Sequence, residues 1–258
     1  MRIHDQGLVL RRTPYGEASL VVQFFTRGQG VLGVLARGIR GRKRPERAAL
    51  AGFHDLDLWA GRRAPAALAT LTGVEIARPR HRLGRDGRAT AAAQVIQEVL
   101  VRLLPPGDPH HRLFQYTAAA LDRLDAGAEA LALLGWWQGW ALRELGFGWR
   151  LDACAGCGGP VTGGYFSVRR AQGVCPACGA PYRERLVPLS PALEQAMARL
   201  EWPGAFDILS PGERSRLFGI GSAGLSRFGG RRLSAPVWFG RSAGLDPHTL
   251  QRLIGERP

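Results

Sequence analysis

Four cysteines stand in two pairs, Cys154-Ala-Gly-Cys157 and Cys175-Pro-Ala-Cys178, with 17 residues between them. Each C-x2-C unit is a tight knuckle, and two such units place four thiolates tetrahedrally around one Zn²⁺. Gly156, Gly158, Gly159 and Gly179 permit the turns that knuckles require. An all-cysteine ligand set leaves no open coordination position, so the spacing points to a structural zinc; a redox pair or a catalytic zinc is the alternative. Between the knuckles, Val161–Val168 is expected to form a ribbon hairpin bent at Gly163-Gly164. Four thiolates leave a zinc site net negative, which Arg150, Arg169, Arg170 and Arg183 offset if they are not plain solvated surface.

A second kind of chemistry lies in the arginines. Arg37, Arg40, Arg42, Lys43, Arg44 and Arg47 fall within eleven residues, where Gly38, Gly41 and Pro45 oppose a regular helix. A mobile basic loop of that kind follows a phosphate backbone and binds it in a salt-dependent, sequence-independent way. The bland alternative is a solvated charge run. Arg11 and Arg12 flank a turn holding Tyr15, and Arg78, Arg80, Arg82, Arg85 and Arg88 make a second basic cluster. The whole chain carries 35 basic against 21 acidic residues, a formal net charge of +14. That balance favours a polyanionic partner: nucleic acid, or less often an anionic membrane surface. Nearly all the basic residues are arginine (Lys43 is the single lysine), which GC-rich codon usage explains without appeal to function.

The elements that must position these groups fall into three segments. Residues 1–78 read as five short strands: Leu8–Leu10, Leu20–Phe25, Val31–Ala36, Phe53–Trp59 and Ala67–Ile76. Their Gly-rich turns and lack of intervening helices suit a small barrel, an OB-fold or, nearly as well, an SH3-like barrel. Of the aromatics Tyr15, Phe24, Phe25, Phe53 and Trp59, most belong in a core, and Tyr15 is the best candidate to stack a base. Residues 79–149 and 184–258 form a helical domain, with helices over Ala89–Leu104, after an Asp108-Pro109 cap, over Ala128–Leu145, after Ser190-Pro191 and over Leu217–Phe228. Trp136, Trp137 and Trp140 lie in the most apolar of these. The zinc module occupies residues 150–183. The fold class expected is therefore α+β, an N-terminal five-stranded OB-fold barrel followed by helices with an inserted four-cysteine module.

No catalytic motif stands out. The chain has no G-x-x-x-x-G-K-[ST] loop and no G-x-S-x-G. Its six histidines are scattered, and Asp55 and Asp57 mark the solvent face of a strand more readily than a Mg²⁺ site of a nuclease. The N-terminus lacks the apolar core of a signal peptide, and no apolar stretch is long enough to span a bilayer, so a cytoplasmic, nucleoid-associated, non-enzymatic protein is expected. A zinc-ribbon accessory factor of transcription or RNA processing and a protein-binding adaptor are the other readings.

The succession of parts resembles the bacterial RecO family. It is carried by Gly7-Leu-Val-Leu, Pro14-Tyr15-Gly16-Glu17-Ala-Ser, Phe25-Thr26-Arg27-Gly-Gln-Gly30 and Ala36-Arg37-Gly38. It continues in Leu142-Arg-Glu-Leu145-Gly146-Phe147 leading into Cys154, and in Gly164-Tyr165-Phe166-Ser167 leading into Cys175. The likeness covers residues 1 to about 190 and does not extend to 200–258. The resemblance implies a recombination mediator that binds single- and double-stranded DNA and anneals complementary strands. It also implies action with RecR to load RecA onto strands coated by single-strand-binding protein.

Overall fold

Strand β1, Arg2–Tyr15, buries Ile3 and then the run Gly7–Leu10, and β2, Ser19–Thr26, and β3, Gly30–Ala36, alternate only in part, burying Val22 and Phe24 on one and Val34 and Ala36 on the other. A short helix α1, Pro45–Ala49, precedes β4, Asp55–Gly61, and β5, Ala69–Arg78. The computed structural model describes residues 1–41, 45–64, 68–200, 204–229 and Phe239. The five strands close into a barrel in the order β1-β2-β3-β5-β4. Closure rests on antiparallel pairing of β1 with β4, Arg2 opposite Gly61 through Gly7 opposite Leu56, and on a parallel contact of Val34 and Leu35 with Ala69 and Thr70. This is the OB-fold; the SH3-like alternative is set aside. Val22, Phe24, Leu32, Val34, Leu56, Leu58 and Val74 fill the interior. Each fully buried side chain of this size contributes about 1.5–3 kcal/mol.

Sequence patterning understated β1, which runs far beyond Leu8–Leu10. A bulge between Val9 and Arg11 lets it continue as a two-stranded ribbon with β2, pairing Tyr15 with Ser19. The Val9 carbonyl accepts a hydrogen bond from Gln97 Nε2 at 2.7 Å. Gln97 lies on α2, Gly87–Leu103, whose N-cap Asp86 accepts from the amides of Arg88 and Ala89. Helix α3, His111–Asp125, starts two residues later than an Asp108-Pro109 cap would place it, and His110 at its N-cap makes no side-chain capping bond. The reason is that the preceding loop is engaged elsewhere: Pro106 bridges Val31, and Gly107 N–H donates to Val31 O at 3.1 Å. Gly30 receives this loop with φ +64°, and a Cβ there would lie 2.2 Å from the Asp108 carbonyl oxygen. Helices α2 and α3 therefore belong with the barrel in one compact unit, Met1–Ala128.

The second unit, Glu129–Pro258, is organised around α4, Ala130–Glu144, capped by the Glu129 carboxylate. Strands β6, Tyr165–Ser167, and β7, Gln172–Val174, the one-turn helix α5, Pro176–Gly179, a 3-10 turn over Ala180–Arg185 and β8, Val187–Pro188, follow. The small sheet has the order β7-β6-β8. Helices α6, Pro191–Arg199, α7, Gly204–Asp207, and α8, Pro211–Phe228, complete the unit. Ser190 caps α6 as its sequence suggests, and Ser210 with Glu213 forms a capping box that starts α8 six residues earlier than Leu217. Trp136 and Trp140, one turn apart on α4, both donate their indole N–H to Leu200 O, at 2.9 and 3.0 Å. They fix the C-terminus of α6, where Leu200 takes φ +52°. Among the described residues, no helix is long and apolar enough to cross a membrane.

Candidate metal centre and nucleic-acid interface

The first knuckle follows α4 and the second opens α5. Cys154 is buried, Cys157 exposed, and Cys175 and Cys178 lie between these extremes. Their Sγ atoms all fall within 4.8 Å of one another, and Cys157 Sγ is 3.8 Å from Cys175 Sγ. A tetrahedral ion at about 2.3 Å from each sulfur requires sulfurs about 3.8 Å apart, so the cluster fits a metal ion. Backbone amides point at the sulfurs: Cys175 N–H and Gly156 N–H donate to Cys154 Sγ at 3.2 and 3.3 Å, and Cys178 N–H to Cys175 Sγ at 3.4 Å. The amides of Cys175, Cys157 and Gly156 lower the Cys154 thiol from its ordinary 9.0 to about 6. Proton sharing with Cys175, Cys157 and Cys154 raises Cys178 to about 12. A divalent cation removes that conflict by taking all four as thiolates.

The hairpin between the knuckles is real but displaced. Its turn lies over residues 168–171, between β6 and β7, and not at Gly163-Gly164. Gly163, at φ +68°, and Gly164 instead bend the chain against the second knuckle; a Cβ on Gly164 would meet Val174 O at 2.2 Å and Cys175 Cα at 3.1 Å. The hairpin is pinned to the first knuckle. Arg150 N–H donates to Ala171 O, Gly173 N–H to Arg150 O, and Ala155 N–H to Gly173 O, at 2.8–2.9 Å.

At the barrel, the structure brings two of the sequence-derived basic groups together. Arg11, Arg12 and Tyr15 are exposed on the β1–β2 ribbon, and Arg37 and Arg40 are exposed just after β3. Arg40 N–H donates to Ala18 O at 3.0 Å, and Arg40 Nη1 reaches Gly16 O at 3.3 Å. The ribbon turn and the basic loop therefore share one end of the barrel. Arg42, Lys43 and Arg44 lie outside the described residues. Arg47 is exposed, but on helix α1 rather than in an irregular loop. Phe24 and Phe25 are core residues, and Trp59 stacks on His4 with rings 4.8 Å apart, which leaves Tyr15, 59% exposed, as the open aromatic of the ribbon.

The segment 78–88 divides. Arg82, Arg85 and Arg88 are exposed. Arg80 is not available to a ligand: its side chain is 1% exposed and binds Asp55 Oδ1 at 2.8 Å, Asp122 at 2.7–2.8 Å and the carbonyls of Phe53 and Ala118. Arg78 is exposed yet paired with Asp122 at 2.6 Å. Two carboxylates and two carbonyls offset the desolvation cost of burying this arginine, because each donor finds an acceptor. Asp55 accordingly belongs to this network rather than to a Mg²⁺ pair with Asp57. Asp125, which sequence reading missed, accepts the amides of Arg82 and Leu83 at 2.7 and 3.0 Å. Asp122-x2-Asp125 on one helix face was the signal that marked both carboxylates. The segment is thus a pinned arm, not a loose linker.

An OB barrel with an open basic end, joined in sequence to a helical unit bearing a four-cysteine centre, defines a class of small-barrel proteins with a metal-ligating module. Comparison with known proteins narrows it. Residues 1–80 match the family described as Recombination protein O N terminal, and residues 84–221 match Recombination protein O C terminal. A DNA repair protein RecO of Anaeromyxobacter sp. strain K is 34% identical over 240 residues, 91% of this chain and 94% of that protein. One from Methylocella silvestris is 36% identical over 231 residues, 87% of this chain and 85% of that protein. The chain belongs to the RecO family. The two family regions part at residues 80–84, and the compact units part at Ala128.

Proposed function

We propose that this chain is a non-enzymatic mediator of DNA repair and recombination that binds single- and double-stranded DNA and anneals complementary strands. The observation that carries the reading is the barrel end where Arg40 of the basic loop is bonded to Gly16 of the Tyr15 turn. It brings Arg40 to the turn that Tyr15 opens, with Arg37 just before Arg40 in the chain and Arg11 and Arg12 exposed on the same ribbon. Arginines there neutralise phosphates and release counterions, and the ring offers a sequence-tolerant face to a base. Charge supports the same surface: residues 1–128 hold 20 basic against 11 acidic side chains. Neutralising two strands lowers their mutual repulsion, so annealing needs no nucleotide hydrolysis.

The four-cysteine centre holds one structural Zn²⁺ in this reading. Bound zinc supplies a fixed cross-link between the knuckles, and its all-sulfur ligand set leaves no position for a substrate. Membership of the family supports action with RecR, and delivery of RecA to strands coated by single-strand-binding protein, in the cytoplasm at the nucleoid. Strand annealing by the purified protein, without ATP, tests the proposal. Acceleration over the spontaneous rate is the expected result; an absolute requirement for ATP, or no acceleration at protein concentrations that saturate DNA, overturns it.

A further inference from the structure

Four tyrosines occur in the chain, and two of them are exposed, Tyr15 and Tyr182. Tyr15 belongs to the barrel end already described. Tyr182, 61% exposed, sits in the 3-10 turn after the second knuckle, directly before the exposed Arg183. Neither side chain makes a hydrogen bond or ion pair among the described residues. A large ring left open beside an exposed guanidinium has no packing explanation among the described residues of its unit. The same pairing of ring and arginine recurs on the ribbon turn of the other unit.

The register of the small sheet adds two more arginines. β8 runs antiparallel to β6 with Val187 opposite Phe166, so the chain enters β8 from the end of the sheet at which β6 turns into β7. That turn carries Arg169 and Arg170, both exposed. The 3-10 turn that carries Tyr182 and Arg183 leads into β8 at that end, where Leu186 N–H donates to Arg183 O at 3.3 Å. The β6–β7 turn is rigid: Ala171 is held at φ +52°, its carbonyl accepts from Arg150 N–H, and Arg170 Nη1 reaches Ala155 O at 3.3 Å. Over residues 150–185 five arginines stand against two carboxylates, Asp152, bonded to Arg150 at 3.3 Å, and Glu184. An excess of arginines over acids, with an open ring on the same module, fits a single-stranded nucleic acid: the ring stacks a base and the arginines meet the flanking phosphates.

We infer that the cysteine module carries a second single-strand contact, formed by Tyr182, Arg183, Arg169 and Arg170 and distinct from the barrel end. The inference rests on the proposed DNA-binding function and assigns it a second site. One unit then holds one strand while the other meets a second strand, which is what annealing requires of a protein without a motor.

The test uses the full-length zinc-loaded protein and oligothymidylate, which cannot pair with itself. Protein is first saturated with an unlabelled strand, and capture of a fluorescent second strand is then titrated. Tyr182→Ala with Arg183→Ala is expected to weaken second-strand capture about tenfold while first-strand affinity changes less than twofold. Tyr182→Phe is expected to retain capture, because the ring and not the hydroxyl stacks. Arg169→Ala with Arg170→Ala, which spares the 3-10 turn, is expected to reduce capture and its salt dependence. Zinc content and melting temperature of each variant are measured alongside, and a variant that loses zinc is replaced in the comparison by the other pair. Capture unchanged in both pairs overturns the inference, and so does equal loss of first- and second-strand binding. If the unaltered protein binds no strand at all, the DNA-binding reading itself fails, an outcome distinct from either.

Discussion

Arg80 Nε donates to Asp122 Oδ1 at 2.8 Å, and the other arm of the same guanidinium donates to Asp55 Oδ1 at 2.8 Å. One side chain therefore ties the barrel strand β4 to helix α3. Breaking a buried ion pair from one side leaves charge without a partner, at about 3–5 kcal/mol. Arg80→Ala is expected to lose stability toward the lower end of that range, since Asp122 keeps partial access to water. Arg80→Lys is expected to recover little, because an ammonium cannot span two carboxylates and two carbonyls in the guanidinium's fork geometry. Urea denaturation followed by far-ultraviolet circular dichroism checks both.

His54 gives unit 1 a pH dependence. Its Nδ1 accepts the Arg80 backbone N–H at 2.9 Å, so the ring must be unprotonated there. Burial, then the nearby His81 and Arg80, lower its pKa below the ordinary 6.5, with Asp125 and Asp55 opposing. The unfolded chain thus takes up a proton before the folded one. Stability is full above about pH 6.5 and falls as the pH drops below that value toward the folded pKa. His54→Asn is expected to flatten this stretch of the stability–pH curve. An unchanged slope contradicts the assignment.

Gly30 is a packing and backbone requirement at once, with φ +64° and the Asp108 carbonyl 2.2 Å from where a Cβ would stand. Gly30→Ala is expected to cost at least about 2 kcal/mol through left-handed strain and displacement of the loop on β3. Thermal melting measures this, and the Val31–Gly107 amide contact should show faster hydrogen exchange.

Metal removal should act locally. Chelation, or Cys154→Ser, is expected to release one zinc per chain and to loosen the hairpin over residues 165–174, because metal binding and folding are coupled in such modules. Exchange protection of the barrel strands is expected to persist. Metal analysis with hydrogen exchange tests this, and a wild-type protein purified without zinc, or with the hairpin protected after chelation, contradicts it.

Sequence legibility followed how local the physics was. The cysteine spacing and the Ser190 cap were readable because knuckles and caps are fixed by a few neighbouring residues. The barrel strands were readable from alternation, but β1 was cut short because its far half is a two-stranded ribbon with both faces in water, from Arg11 to Tyr15. Arg80 was read with its neighbours as a DNA contact because its partners, Asp55 and Asp122, lie 25 and 42 residues away in sequence. Composition gives no sign of such pairing. The start of α3 was misplaced for a similar reason: Pro106 and Gly107 are held by Val31, which no local pattern reveals. Tyr182 went unnoticed because its exposure is a property of the fold and not of its neighbours.

The measurement that bears most directly on the DNA-binding claim is affinity for a fluorescent single strand across a salt series, for the unaltered protein and for one with Arg11, Arg12, Arg37 and Arg40 changed to Ala. The logarithm of affinity should fall linearly with the logarithm of salt, by about 0.7 for each phosphate contact. The four-fold variant should bind more weakly at low salt and with a shallower slope, with its melting temperature kept. Two coincident lines would contradict the account, because the barrel end joined by Arg40 and Gly16 would then hold no phosphate.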